Sequence, residues 1–132
     1  MRKLNMEEIR MMNAVQQLTR VMPKDCIIEE NLVSFLIPSK LMGKAIGKKA
    51  VNIKELENSL KKRVEFVAEY EKAEDVFANA LEVNYLSSKK TDSKIVLNLN
   101  SISKAKVMKN NSRMKRVKEL IKRNYGAELV IK

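Results

Sequence analysis

The stretch Gly43-Lys44-Ala45-Ile46-Gly47-Lys48-Lys49-Ala50-Val51-Asn52-Ile53 sets small residues and lysines between two apolar, helix-compatible segments. Without bulky side chains, main-chain N–H groups can approach a phosphate, and a helix beginning just after them adds the positive end of its dipole. Lys44, Lys48, Lys49 and Lys54 bracket the turn and add mobile positive charge. A nucleotide-binding P-loop needs glycines five positions apart, followed by Lys and Ser or Thr. Here the spacing is four and no hydroxyl follows, so the chemistry predicted is a clamp on a nucleic-acid backbone.

Charge supports a polyanionic partner. The 132 residues carry a formal net charge of +11, but residues 40–63 hold eight Lys or Arg against two Glu, and residues 104–123 hold nine against one. These two segments carry net +14 and the rest of the chain is net negative by three, so the positive charge is confined rather than spread for solubility. The sequence has no His, which removes imidazole acid/base chemistry, Ser-His-Asp or Cys-His nucleophiles and His-bearing zinc sites. Glu55 and Glu57, two apart on a helix, point to different faces and are assigned to the surface. Cys26, the single cysteine, lies in the apolar run Cys26-Ile27-Ile28 and is expected to be a buried thiol in a reducing cytoplasm. We expect neither catalysis, metal nor cofactor. Met1-Arg2-Lys3 leads into a segment too polar for a signal-peptide core, and no apolar run reaches the length of a bilayer span, so a soluble cytoplasmic protein without membrane association is expected.

The elements that must hold the turn follow from periodicity. Asn5 with Glu8 predicts a capping box, and Met11, Val15, Leu18 and Met22 predict an amphipathic helix over 6–21, which Pro23 helps to end. Cys26-Ile27-Ile28 and Leu32 to Ile37 predict a hairpin around Glu29-Glu30-Asn31. A short helix to Ile46, the Gly-Lys turn, a helix with Ile53, Leu56 and Leu60 on one face, and a strand over 64–70 complete the order α-β-β-α-α-β.

Residues 71–132 repeat that order: a helix with Ala73, Val76, Phe77, Ala80 and Leu81; strands at 82–86 and 94–100 joined by a polar connection from Ser87 to Ser93; a short helix over 102–107; a helix capped by Ser112 with Met114, Val117, Leu120 and Ile121 on one face, ended by Gly126; and a strand at 128–131. A shift of 61 places Ile46 on Val107 and Ile53 on Met114. Two domains are therefore expected, 1–70 and 71–132.

A helix-Gly-x-x-Gly-helix turn within α-β-β-α-α-β resembles a type II KH domain, and Gly43-Lys44-Ala45-Ile46-Gly47-Lys48 resembles the KH segments of NusA. Two such units filling a short chain resemble the small archaeal NusA-like factors of transcription termination and antitermination. The resemblance implies an α+β fold of two tandem KH domains, each a three-stranded sheet packed by helices. It also implies a single-stranded RNA ligand, with RNA polymerase or ribosomal components as further partners. It maps the backbone-holding loop to Gly47-Lys48-Lys49-Ala50, with Ile46 and Ile53 flanking a base groove, and Lys44 and Lys54 adding charge. Ala50 departs from the family's second glycine; were position 50 already helical, alanine would suit it. In the second copy Met108-Lys109-Asn110-Asn111 lacks both glycines, and Lys109, Asn110, Asn111 and Arg113 form a second, altered candidate RNA site. Single-stranded binders of the RRM or OB type lean on aromatic stacking platforms, and this chain has only three Phe, three Tyr and no Trp, whereas a KH groove needs no such platform. The competing reading is a KH scaffold that docks on RNA polymerase or a ribosomal assembly with little RNA binding.

Overall fold

Asn5 starts the first helix, as its side chain and that of Glu8 exchange bonds with each other's backbone: Asn5 Oδ1 accepts from the Glu8 amide at 2.8 Å and Glu8 Oε1 from the Asn5 amide at 2.9 Å. The computed structural model describes residues 3–132; Met1 and Arg2, which precede the segment expected to be too polar for a signal-peptide core, lie outside it. Helix α1 (Met6–Thr19) buries Glu8, Met12, Val15 and Thr19. The stripe lies to one side of the expected one, with Leu18 and Met22 exposed. Local bonds at two residues explain the shift: Glu8 is tied to the cap, and the Thr19 hydroxyl donates to the Val15 carbonyl at 2.7 Å while accepting from the Val21 amide at 3.1 Å. Arg20, left-handed at φ 64°, ends the helix before Pro23 is reached.

Strands β1 (Asp25–Ile28) and β2 (Leu32–Pro38) form the antiparallel hairpin, and β3 (Arg63–Glu69) joins β2 in parallel, giving the order β1-β2-β3. Parallel strands need a crossover. Here a 3-10 turn, α2 (Met42–Ile46), the Gly-Lys turn and α3 (Val51–Leu60) supply it, which suspends the turn between two helices. Met12, Val15, Val21, Cys26, Val33, Phe35, Ile37, Ala45 and Leu56 form the core beneath, and Phe35 meets Phe66 of the neighbouring strand edge-on at 6.0 Å. The Lys62 ammonium caps the hairpin turn, donating to the carbonyls of Glu29 at 2.6 Å and Glu30 at 2.7 Å. Glu57 was assigned to the surface, but its Oε2 accepts from the Val64 amide at 2.9 Å and fixes the approach to β3.

A second compact unit begins at Tyr70. It contains α4 (Ala73–Leu81), β4 (Ser87–Lys90), β5 (Lys94–Asn98), α5 (Ser101–Lys109), α6 (Asn111–Tyr125) and β6 (Glu128–Ile131). Strand order β4-β5-β6, with the first pair antiparallel and the second parallel, matches that of the first unit. The strand expected at 82–86 lies instead at 87–90, inside the stretch expected as a polar connection. Glu82 is left-handed at φ 55°, Val83 is drawn inward with its amide on the Ala78 carbonyl, and Tyr85 donates its hydroxyl to Asp75 Oδ1 at 3.0 Å. Every β4 residue is exposed, so side-chain pattern does not select this strand. What holds it is its ladder to β5 and Glu74: Ser88 Oγ donates to Glu74 Oε2 at 3.0 Å, and Lys90 Nζ stands 3.7 Å from Oε1. Burial pushes the Glu74 carboxyl up, but its own backbone amide, Ser88, Lys90 and Lys72 outweigh burial and hold it below the usual carboxylate range. Ser112 does not cap α6; Asn110 precedes the helix, and Ser112 Oγ accepts from Arg116 Nη1 at 2.6 Å. Among the described residues no helix is long and apolar enough to cross a membrane.

Candidate nucleic-acid interface

Helix α2 closes with the Gly47 amide on the Gly43 carbonyl at 3.0 Å. Gly47 then takes φ 77°, ψ 172°, a region essentially reserved for glycine. A Cβ there would lie 2.8 Å from Asn52 Nδ2 and 2.9 Å from Asn52 Cγ, so space and dihedral both exclude a side chain. Gly43, by contrast, has nothing within 4 Å of a built Cβ; its smallness keeps the surface open and the backbone does not require it.

Lys49 (φ 54°, ψ 32°) and Ala50 (φ 59°, ψ 30°) are both left-handed. Three of the four residues from 47 to 50 thus have positive φ, and the chain reverses without becoming one continuous helix. Ala50 does not have the right-handed conformation that would suit alanine; it costs about 1–2 kcal/mol where glycine would be unstrained. The Ala50 amide bonds the Gly47 carbonyl at 3.2 Å and the Val51 amide bonds that of Lys48. Among the described residues this leaves the Lys48 and Lys49 amides without a carbonyl partner, just ahead of the ten-residue helix α3. Amides without a carbonyl partner and a helix N-terminus at one corner are the elements from which anion sites are built.

The side chains around it are arranged accordingly. Lys44, Lys48, Lys49 and Lys54 are exposed and, among the described residues, free of carboxylates. Ile46 and Ile53, one on each side of the turn in sequence, are half-buried. Asn52, which the sequence reading passed over, donates from Nδ2 to the Lys44 carbonyl at 3.2 Å and braces α3 against α2 across the turn. A side-chain amide in the first turn of the helix that follows the glycine was the available signal.

In the second unit the junction has another form. Met108 and Lys109 remain helical, Asn110 alone breaks the chain at φ −110°, ψ 43°, and Asn111 already belongs to α6. No residue from 108 to 111 has positive φ. The Asn110 amide bonds the Val107 carbonyl at 3.0 Å and its side chain donates to the Lys106 carbonyl at 3.1 Å. Arg113 is half-buried, its Nη1 reaching the Ala80 carbonyl on α4 at 3.5 Å, whereas Lys109 and Asn111 are exposed. Beside this closed junction runs a groove of about 400 Å3 between the helices and β6, walled by Val107, Met108, Met114, Val130 and Ile131 and rimmed by Lys104, Lys118 and Lys132.

No curated protein matches the chain significantly. Among solved structures, a crystal structure of APE1850 is similar to it at 25% identity with a TM-score of 0.83, over 98% of this chain and 100% of that one. The KH domain family model matches residues 8–107 in a single run that crosses from the first unit into the second, so it shows one KH match and not a separate match for each unit. A match over that share of the sequence, which takes in the whole helix–turn–helix crossover of the first unit, places this chain in the KH domain family.

Proposed function

We propose that the chain is a non-catalytic, cytoplasmic, single-stranded RNA-binding protein built from two KH copies and acting as a NusA-type transcription termination or antitermination factor. The observation that carries the RNA reading is the turn at Gly47 to Ala50, with its positive-φ residues and the Lys48 and Lys49 amides left without a carbonyl partner among the described residues. Phosphates lie against those amides under the charge of Lys44, Lys48, Lys49 and Lys54, and bases lie unstacked against Ile46 and Ile53. The duplicated reading is supported by the same element order and the same strand order in both units. The NusA-type role rests on the resemblance of the Gly-Lys segment.

Three or four phosphate contacts, each with a salt slope of roughly 0.7, give an affinity that falls about tenfold to thirtyfold for a threefold to fourfold rise in salt. Replacing Lys48 and Lys49 together by Asp abolishes RNA crosslinking on this reading; undiminished crosslinking refutes it. Sequencing RNA crosslinked in cells tests the process served: nascent transcripts support the transcription role, and enrichment of ribosomal RNA alone overturns it.

The closed junction at Asn110 favours a second reading for the C-terminal unit, as a scaffold that docks on polymerase or a ribosomal assembly. In that case the Lys48/Lys49 variant keeps its association with the assembly after losing RNA.

A further inference from the structure

Lys115, Lys118 and Lys122 fall at i, i+3 and i+7 of α6, a single stripe about 10 Å long at 1.5 Å rise per residue. Lys118 lines the groove of about 400 Å3 described above and also an adjoining hollow of about 240 Å3 that Lys115 and Lys122 border together with Glu119, Glu128 and Leu129, so the stripe runs on from the groove alongside β6. Among the described residues none of the three ammoniums is paired with a carboxylate, and Glu119, the acidic residue within the stripe, is drawn to Arg123 at 3.6 Å. The position 61 earlier than Lys118 is Glu57, bound to the Val64 amide, so the sign of charge at this place is reversed between the units. Helix α6 has 15 residues where α3 has ten, and the added length carries Lys122.

We propose that Lys115, Lys118 and Lys122 form a phosphate track along α6 that holds single-stranded RNA beyond the groove and takes over, in the C-terminal unit, the anchoring that the Gly47 turn gives the N-terminal one. The inference rests on the RNA-binding reading above and adds a place and a mechanism to it. Ammonium groups act as point charges on released-counterion sites, so this contact is more salt-dependent than one made by amides. The neighbouring apolar wall of Val107, Met114, Val130 and Ile131 selects a strand with unstacked bases, because a duplex keeps its bases paired.

The test uses the full chain and a labelled mixed-sequence single-stranded RNA of about twelve nucleotides, with its duplex and a polyglutamate peptide as competitors. In the K115Q/K118Q/K122Q variant the salt slope falls by about 2, equivalent to about a tenfold to twentyfold difference from the parent across a fourfold salt range. The corresponding triple Arg variant restores the slope. Lys, Gln and Arg have similar helix propensities, and an unchanged circular dichroism melt establishes that the fold is intact. An unaltered slope in the Gln variant overturns the proposal, as does equal competition by duplex or polyglutamate. If the Gln variant loses slope while Lys48/Lys49→Asp binds normally, the track stands and the reading of the Gly47 turn fails. The reverse result removes the track and leaves that reading in place.

Discussion

The two units share an element order and a sheet order, yet their helix–helix junctions are built from opposite materials. Around Gly47 the backbone is opened by three positive φ values; around Asn110 a single residue with negative φ closes it and spends its amide and side chain on the preceding helical turn. Lysines surround both, but toward the far end of α3 the position equivalent to Lys118 is Glu57, already engaged with backbone. One unit therefore offers amides with charge as support, and the other offers charge beside an apolar groove. The crossover geometry is tolerant of either because the parallel strand pair and the core below it, not the junction residues, fix the helices.

The largest expected effect tests that the core is what the junctions rely on. Phe35→Ala removes a fully buried ring from the first core and costs about 3–5 kcal/mol in denaturant unfolding; Phe77→Ala, equally buried in the second unit, costs a similar amount. A loss under about 1 kcal/mol at either site would mean that the ring is not part of a packed interior.

Gly47→Ala comes next, with a stability cost of about 1–3 kcal/mol and loss of RNA affinity, since its dihedrals and the 2.8 Å approach of Asn52 both oppose a methyl group. Asn110→Ala in the other junction changes stability by less, and fluorescence anisotropy with a single-stranded RNA reads the contrast directly. Equal effects on RNA affinity would erase the distinction between the two turns.

The edge strands provide a pH test. Strand β4 depends on Glu74, whose folded carboxyl is held below its ordinary value, so the stability it contributes is present above the unfolded carboxylate range and is lost as pH falls through the lowered folded value. Denaturant unfolding from neutral pH down to below about pH 4 shows this acid loss in the parent, and Glu74→Gln makes that limb shallower. Tyr85 acts at the other extreme: its bond to Asp75, with burial and the charges of Asp75 and Glu74, raises its phenol, so its contribution is complete below about pH 10 and is lost as pH rises through the folded value.

The smallest effect is a gain. Ala50→Gly relieves a left-handed alanine and stabilises the chain by about 0.5–1 kcal/mol, because the extra freedom of glycine in the unfolded chain offsets part of the relief. A loss on this substitution would show that the methyl group packs favourably at the turn.

Much of the site was legible because its determinants are local. Gly47 declared the turn, the lysines declared its charge, and Asn5 with Glu8 declared the first helix, each through bonds spanning a few residues. The apolar face of α1 was misplaced by one position, since Thr19 and Glu8 are buried by specific bonds that hydropathy ranks as unfavourable. Strand β4 was missed for a related reason: Ser87-Ser88-Lys89-Lys90 has no strand pattern, and only β5 and the distant Glu74 make it one. Asn52 and Lys62 were also out of reach, because the carbonyls they serve lie eight and more than thirty residues away.

Composition, periodicity and the glycine determined by themselves that this chain is an α+β protein with a basic turn between two helices. The tertiary structure decided which of its polar residues hold other parts of the fold and which stay exposed, and it alone distinguished an opened junction from a closed one. The reason is physical: dihedral freedom and helical period are properties of neighbours along the chain, whereas a buried carboxylate, a bridging amide or an unpaired ammonium is defined by what folding brings beside it.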